Sequence, residues 1–476
     1  MELASDAFIA GSWVATGSRF AVVDPFDGAR IAEVADCGDA EVARAIAAAA
    51  AAFPAWRATA APTRGALLAR VAAAMVRPDI EARLAGICTR ENGKALRESV
   101  AEVRYAASFL HWFAGEAERI YGETIPATSA GDRIVVTREP VGPCALITPW
   151  NFPYAMLTRK LGAALAVGCT VVCKPAGQTP LSALALAQLF EAAGAPAGVV
   201  NVVPSTHHAE VGQQLLAAPQ IRKVSFTGST RVGQDLMRQA AGDLKRLSLE
   251  LGGNAPFVVL ADADLPAAVD AAMIAKFRNA GQSCVAANRF ILEAPIAEAF
   301  TSQLLAKIAK LTVGRGADPS TDVGPVIDER AVAKLRRLVD DANARGARHL
   351  NGPLTATGNL VAPLVLAGVT PEMALWREEI FGPIVALRTA RDEADAIAQA
   401  NDTDAGLVAY LMTRDGARQT RVAEALEAGM VGVNTGLVST AQAPFGGVKH
   451  SGIGREGSRH GIEDYTNLKY VATHVA

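Results

Sequence analysis

Between residues 133 and 250, short apolar runs alternate with alanine-rich or amphipathic stretches. This rhythm limits the possible folds more than any other feature. Runs at 133–138, 144–147, 170–173, 199–203, 221–226 and 246–250 read as strands, and stretches at 181–193, 207–217 and 231–241 as helices. Strands separated by helices line up in parallel, with the helices on the sheet faces. After Gly252 a second such series begins. Its strands fall at 256–260, 289–293, 364–369, 383–389, 407–412 and 431–434, and its helices at 265–278 and 296–310. Before the first series, helices are expected over 39–76, with Asp39 as an N-cap and a break before Pro78, and over 96–120. The chain has 476 residues, half of them hydrophobic, enough for two or three buried cores. Residues 464–472 read as a strand outside both series. A lone strand needs a partner, so it should pair with the 133–138 run or with a neighbouring subunit, as an oligomer arm.

The formal net charge of −2 argues against a nucleic-acid or membrane-surface partner. The longest apolar run, 161–173, falls short of the roughly 18–20 residues a membrane span needs. The N-terminus lacks a basic leader region, so a cytoplasmic protein is expected. Cys37, Cys88, Cys144, Cys169, Cys173 and Cys284 are scattered and imply no disulfide framework. No Cys and His cluster has zinc spacing, and the adjacent His207 and His208 lack sequence partners for a metal, so none is expected.

Cys284 differs from the other thiols. It sits among small and polar residues in Ala280-Gly281-Gln282-Ser283-Cys284-Val285-Ala286, a setting for chemistry more than for packing. Glu250, before Gly252-Gly253, and Asn151, between Trp150 and Phe152, lie upstream. A thiol, a carboxylate and an amide can supply a nucleophile, a base and an oxyanion donor. Thr227-Gly228-Ser229-Thr230 follows a strand and opens a helix, a natural anion site. Lys174 stands at a strand's carboxyl end, where open α/β sheets bind ligands. Gly452-Ile453-Gly454-Arg455-Glu456-Gly457 matches a dinucleotide fingerprint, but too little chain remains after it for a βαβ unit, so it reads as a glycine-rich turn.

Taken in order, these segments resemble the aldehyde dehydrogenase superfamily essentially end to end. The shared motifs are Pro149-Trp150-Asn151-Phe152-Pro153, Lys174-Pro175-Ala176, Phe226-Thr227-Gly228-Ser229, Glu250-Leu251-Gly252-Gly253-Asn254, Gly281-Gln282-Ser283-Cys284 and Glu378-Glu379-Ile380-Phe381-Gly382-Pro383. The resemblance implies an α/β fold with a Rossmann-like cofactor domain (1–121 and 141–250), a second α/β catalytic domain (251–448) and a small β oligomerisation arm (122–140 and 449–476). It implies Cys284 as nucleophile, Asn151 as oxyanion donor and Glu250 as the base for thioester hydrolysis. Trp150, Lys174, Gly228, Ser229, Glu379 and Phe381 would contact NAD or NADP. NAD-preferring relatives often carry a glutamate three residues after the lysine. Here Gly177 stands there, so NADP should be accepted, with Arg231 assisting. Two residues past the nucleophile stands Ala286, so the disulfide switch of some relatives is not expected.

Within the superfamily the chain is most similar to the succinate-semialdehyde dehydrogenase branch. The likeness implies that Arg159, Arg278 and Ser439 bind a distal carboxylate, a task that suits arginine's bidentate geometry. Glutarate semialdehyde, one methylene longer, is the alternative substrate. A different class, a catalytically silent binding homologue, is disfavoured by the presence of both Cys284 and Glu250. The expected assembly is a homodimer or homotetramer.

Overall fold

The computed structural model describes residues 3–474. Two large sheets carry the fold. The first has eight strands in the order Ser12–Val14, Ala7–Ile9, Val200–Val202, Val171–Lys174, Cys144–Ile147, Lys223–Thr227, Arg246–Glu250 and Gly452–Ile453. Its five central strands are parallel and its flanking strands antiparallel. The chain lays strands outward from Cys144–Ile147, then reverses and resumes on the other side with Lys223–Thr227. At such a reversal the loops beyond two neighbouring carboxyl ends part and leave a crevice. Residues 148–152 and 228–229 border it.

The second sheet has seven strands, in the order Arg348–His349, Leu364–Ala367, Ile384–Ala390, Ala287–Glu293, Ala255–Val259, Val408–Met412 and Met430–Val433. Side chains alternate between two cores. Phe257 and Val259 enter one, and Val258 the other. In the first sheet, Cys144 and Leu146 face one core and Ala145 the other. Burial on both faces is why these strands read as unbroken apolar runs.

Helix Pro153–Val167 is buried at every residue. Proline occupies its first turn, and Gly168 closes it at φ +99°. Gly162 lets Phe113 approach, since a Cβ there would lie 2.9 Å from the ring. Arg159 and Lys160 are therefore buried cations, which require partners.

The structure departs from the sequence reading in several places. Gly38, not Asp39, is the N-cap of Asp39–Ala58, and the Glu41 carboxylate accepts its N–H at 2.9 Å. Pro78 starts a helix, Pro78–Asn92, because proline suits a first turn as well as a stop. Four short N-terminal strands and the helices Glu329–Ala344, Glu393–Asn401 and Gly416–Ala425 add to the expected elements. The C-terminal strand Thr466–His474 pairs antiparallel with Asp132–Pro140, with Tyr470 opposite Val136. Among the described residues its other edge has no partner strand, and Leu468 and Tyr470 are exposed. Among the described residues no helix is long and apolar enough to cross a membrane.

Candidate active site

The loop before Cys284 is shaped by three consecutive left-handed residues, Asn279, Ala280 and Gly281, at φ 52°, 53° and 74°. Each of the two non-glycines costs about 1–2 kcal/mol in that region. Surrounding hydrogen bonds hold them. The Asn279 N–H donates to the Glu98 carboxylate at 3.0 Å, and its side-chain amide donates to the Asn151 carbonyl at 2.9 Å. The Gln282 Oε1 accepts from the Ile327 N–H at 2.8 Å. A Cβ on Gly281 would meet the Gly382 carbonyl at 2.3 Å, so the loop also packs backbone to backbone. The half-buried thiol of Cys284 lies on the wall of a cleft of about 370 Å³.

Trp150, Asn151, Gly228, Ser229, Glu379 and Phe381 line that same cleft. Trp150 and Phe381 meet edge to face, with centroids 5.5 Å apart at 88°. Phe381 is itself left-handed, at φ 56°. The Glu379 Oε1 accepts the Gly253 N–H at 3.0 Å. The Gly228 N–H is already given to the Glu250 carbonyl at 3.0 Å, so this glycine contributes close approach and not a donor. Ser229 is the N-cap of helix Thr230–Ala240. Lys174 is nearly buried, 2.9 Å from His208 Nδ1, and Gly177 faces the same imidazole. Arg231 extends into solvent and lies 3.7 Å from Asp235. A glycine-bordered crevice at the sheet's reversal, with aromatic walls and a lysine at one strand end, fits a dinucleotide.

Asn151 is 3% exposed, and its amide donates to the Gln282 carbonyl at 3.1 Å. Its own carbonyl accepts from Lys94 Nζ at 2.6 Å. Lys94 pairs at 2.5 Å with Glu102, whose other oxygen accepts the Tyr154 N–H at the start of the buried helix. One buried ion pair thus fixes both Asn151 and that helix.

Glu250 is 3% exposed, and among the described residues neither carboxylate oxygen has a hydrogen-bond partner. Burial, and then the nearby Glu456, raise its pKa well above the carboxylate range, against the pull of Lys160 and Arg159. Glu456 pairs with both buried cations through its two oxygens: it bonds Lys160 and lies 3.3 Å from Arg159. The turn read as glycine-rich thus delivers a carboxylate to the interior. Burial pushes the Cys284 thiol up to about 12, partly offset by Arg159 and Arg278 and reinforced by Glu250 and Glu379.

A second cavity, about 510 Å³, is lined by helices Leu96–Glu116 and Leu265–Phe277. Arg278 and Ser439 are in its wall, with Glu98, Tyr105 and Phe152. Arg278 lies 5.1 Å from the Phe152 ring and, among the described residues, makes no ion pair. Arg159 is not in that wall. It is 1% exposed, packs on Phe109 and Phe445, and donates to the Tyr105 hydroxyl at 3.1 Å. It therefore reaches the cavity only through Tyr105. Sequence reasoning passed over Lys94, Glu102, Lys160 and Glu456. The available signal was a pair of cations inside an otherwise apolar, alanine-rich helix.

The model of the aldehyde dehydrogenase family matches residues 13–471. A glutarate-semialdehyde dehydrogenase of Pseudomonas putida is 50% identical over 98% of both chains. The NADP-dependent succinate-semialdehyde dehydrogenase GabD of Escherichia coli is 50% identical over 98% of this chain and 97% of its own. The crystal structure of a succinate-semialdehyde dehydrogenase from Burkholderia pseudomallei superposes with a TM-score of 0.97 at 49% identity, covering 99% of this chain and 98% of that one. The chain belongs to the aldehyde dehydrogenase family.

Proposed function

We propose that this aldehyde dehydrogenase oxidises a short aldehyde with a distal carboxylate, using NADP or NAD, with succinate semialdehyde as the main substrate and glutarate semialdehyde as a close second. The observation that carries the substrate class is Arg278, a half-buried guanidinium without an ion-pair partner among the described residues, in the wall of the 510 Å³ cavity with Ser439. A carboxylate is the natural partner for such a group. Arg159 supports it from behind: by donating to the Tyr105 oxygen it leaves the Tyr105 proton free to point into the cavity.

In this reading Cys284 attacks the aldehyde carbon, and the carbonyl electrons move onto oxygen. The free N–H of the Asn151 amide and the Cys284 backbone N–H stabilise that oxyanion. Trp150, Lys174, Gly228, Ser229, Glu379 and Phe381 would hold the dinucleotide, whose nicotinamide would accept the hydride from that carbon. Glu250 then draws a proton from water, which attacks the thioester on Cys284 and releases the carboxylic acid and the thiol. Burial and the neighbouring Glu456 raise its pKa, which makes it a stronger base once ionised. Burial raises the Cys284 thiol pKa, so its proton passes to solvent as the sulfur attacks.

We assign cofactor binding to residues 1–121 and 141–250, catalysis to 251–448, and assembly into a homodimer or homotetramer to the arm ending in Thr466–His474. The exposed apolar side chains on its unpaired edge favour a partner strand there. The test is formation of NADPH and NADH with succinate semialdehyde, glutarate semialdehyde and hexanal. Strong preference for the carboxylated aldehydes is expected. Equal turnover of hexanal would discard the substrate assignment and keep the dehydrogenase.

A further inference from the structure

Helix Leu265–Phe277 ends at Arg278, whose ψ of 130° swings the next peptide out of the helix line. The Asn279 N–H must then find an acceptor elsewhere. Glu98 provides it: its two carboxylate oxygens accept that N–H at 3.0 and 3.1 Å. Asn279 is also the first of the three left-handed residues that lead to Cys284. The carboxylate thus grips the loop where its strain begins. Beyond the nucleophile the chain is held by Tyr410, whose hydroxyl donates to the Val285 carbonyl at 2.8 Å.

Glu98 stands in the first turn of helix Leu96–Glu116. On that helix Glu98, Glu102 and Tyr105 are spaced to share one face. Glu102 pairs with Lys94, whose Nζ holds the Asn151 carbonyl, and it also accepts the Tyr154 N–H. One helix therefore ties down both the loop that carries the thiol and the segment that carries the oxyanion amide. The Asn279 side chain closes the circuit by donating to the Asn151 carbonyl at 2.9 Å. Glu98 is half-buried in the wall of the 510 Å³ cavity. Burial raises its pKa, against the pull of the Asn279 N–H, Lys94, Arg278 and Arg97. Its bond to Asn279 survives protonation, because a neutral carboxyl keeps an acceptor oxygen.

We propose that Glu98 is a positioning residue that holds the Cys284 loop in register with the Asn151 amide. The proposal rests on the reading of Cys284 as nucleophile. Attack on a carbonyl and capture of its oxyanion must occur together, and displacement of one partner by an ångström slows such a step steeply. Glu98 acts through the loop, so its loss lowers kcat for every aldehyde. Arg278, by contrast, acts on carboxylated aldehydes alone.

The test compares full-length wild type, Glu98→Ala, Glu98→Gln and Glu98→Asp for kcat and KM with succinate semialdehyde and with hexanal, alongside the nucleotide KM and Tm. Glu98→Ala should lower kcat about tenfold or more with both aldehydes and leave the nucleotide KM within twofold. Glu98→Gln keeps the reach and an acceptor, and should recover most of the rate. Glu98→Asp keeps the charge but is one methylene shorter, and should resemble Glu98→Ala. If Glu98→Ala fails to fold, the Gln and Asp variants at matched Tm carry the same comparison. An undiminished kcat in Glu98→Ala, or a loss confined to succinate semialdehyde, overturns the proposal. So does Glu98→Asp outperforming Glu98→Gln, which would make charge and not the hydrogen bond the operative property. Inactivation of wild type by iodoacetamide, with the label found on Cys284, checks the premise separately. If labelling of Cys284 leaves turnover intact, the nucleophile reading falls, whatever the Glu98 variants do.

Discussion

The 370 Å³ cleft that holds Cys284 and the 510 Å³ cavity that holds Arg278 are built in different ways. The cleft takes strand ends, glycines and a helix start from short contiguous motifs, with Trp150, Phe381 and the helix Glu329–Ala344 completing its walls. The 510 Å³ cavity is bordered by side chains from two helices and several loops that stand far apart in the chain. Backbone shape suits a ligand common to a whole family. Side chains can be exchanged one at a time, so the cavity is where relatives at about half identity, named for different aldehydes, have room to diverge.

Four substitutions test that division, from the largest expected effect to the smallest. Cys284→Ala removes the group that both hollows serve, and kcat should fall by about 10⁴-fold or more with every aldehyde and either nucleotide. A smaller loss would mean that another nucleophile acts. Glu250→Gln should lower kcat by about 10²–10³-fold. In the wild type, kcat should climb with pH as Glu250 ionises, at a pH above the usual carboxylate range because its pKa is raised. That limb should vanish in the variant, and a variant that retains it would assign the limb to a different group. Arg278→Ala should reduce kcat/KM for succinate semialdehyde by about 10- to 100-fold relative to hexanal, the worth of a hydrogen bond to a charged partner. An equal loss with both aldehydes would mean that Arg278 only shapes the loop. Phe381→Leu breaks the edge-to-face contact with Trp150 and should raise the nucleotide KM by a few-fold, corresponding to about 0.5–1.5 kcal/mol. A change in aldehyde KM instead would blur the line between the hollows.

The same contrast governs what could be read in the sequence. Parallel strands buried on both faces leave unbroken apolar runs, so most strands of both sheets were visible, as were the motifs around Trp150, Gly228, Glu250 and Cys284. The strands Ala7–Ile9 and Ser12–Val14 are too short to show a period. Helix Pro78–Asn92 hid behind a proline that can open a helix as well as close one. Lys160 and Glu456 are nearly 300 residues apart, and neither signals that it is buried until the helix between the cores is seen to have no solvent face. His208 was visible only as half of a histidine pair, because its partner is a lysine from the neighbouring strand. Arg159 was named from the resemblance, but its distance from the cavity wall depends on Tyr105, on another helix.

Glu456 also bears on how the molecule is made. The cations it bonds belong to a helix made well before it: Glu456 leaves the ribosome 296 residues after Lys160, together with the strand Gly452–Ile453 beside Glu250. Until then the first sheet lacks its last edge, and Arg159 and Lys160 lack the carboxylate that bonds them. Domains generally fold from the N-terminus during synthesis, but this one cannot close on its own portion of the chain. A message that stops at Lys449 would yield a protein with every cofactor motif present and an interior it cannot keep dry. The interior around Glu250 is thereby completed only after residues 452–456 have been made.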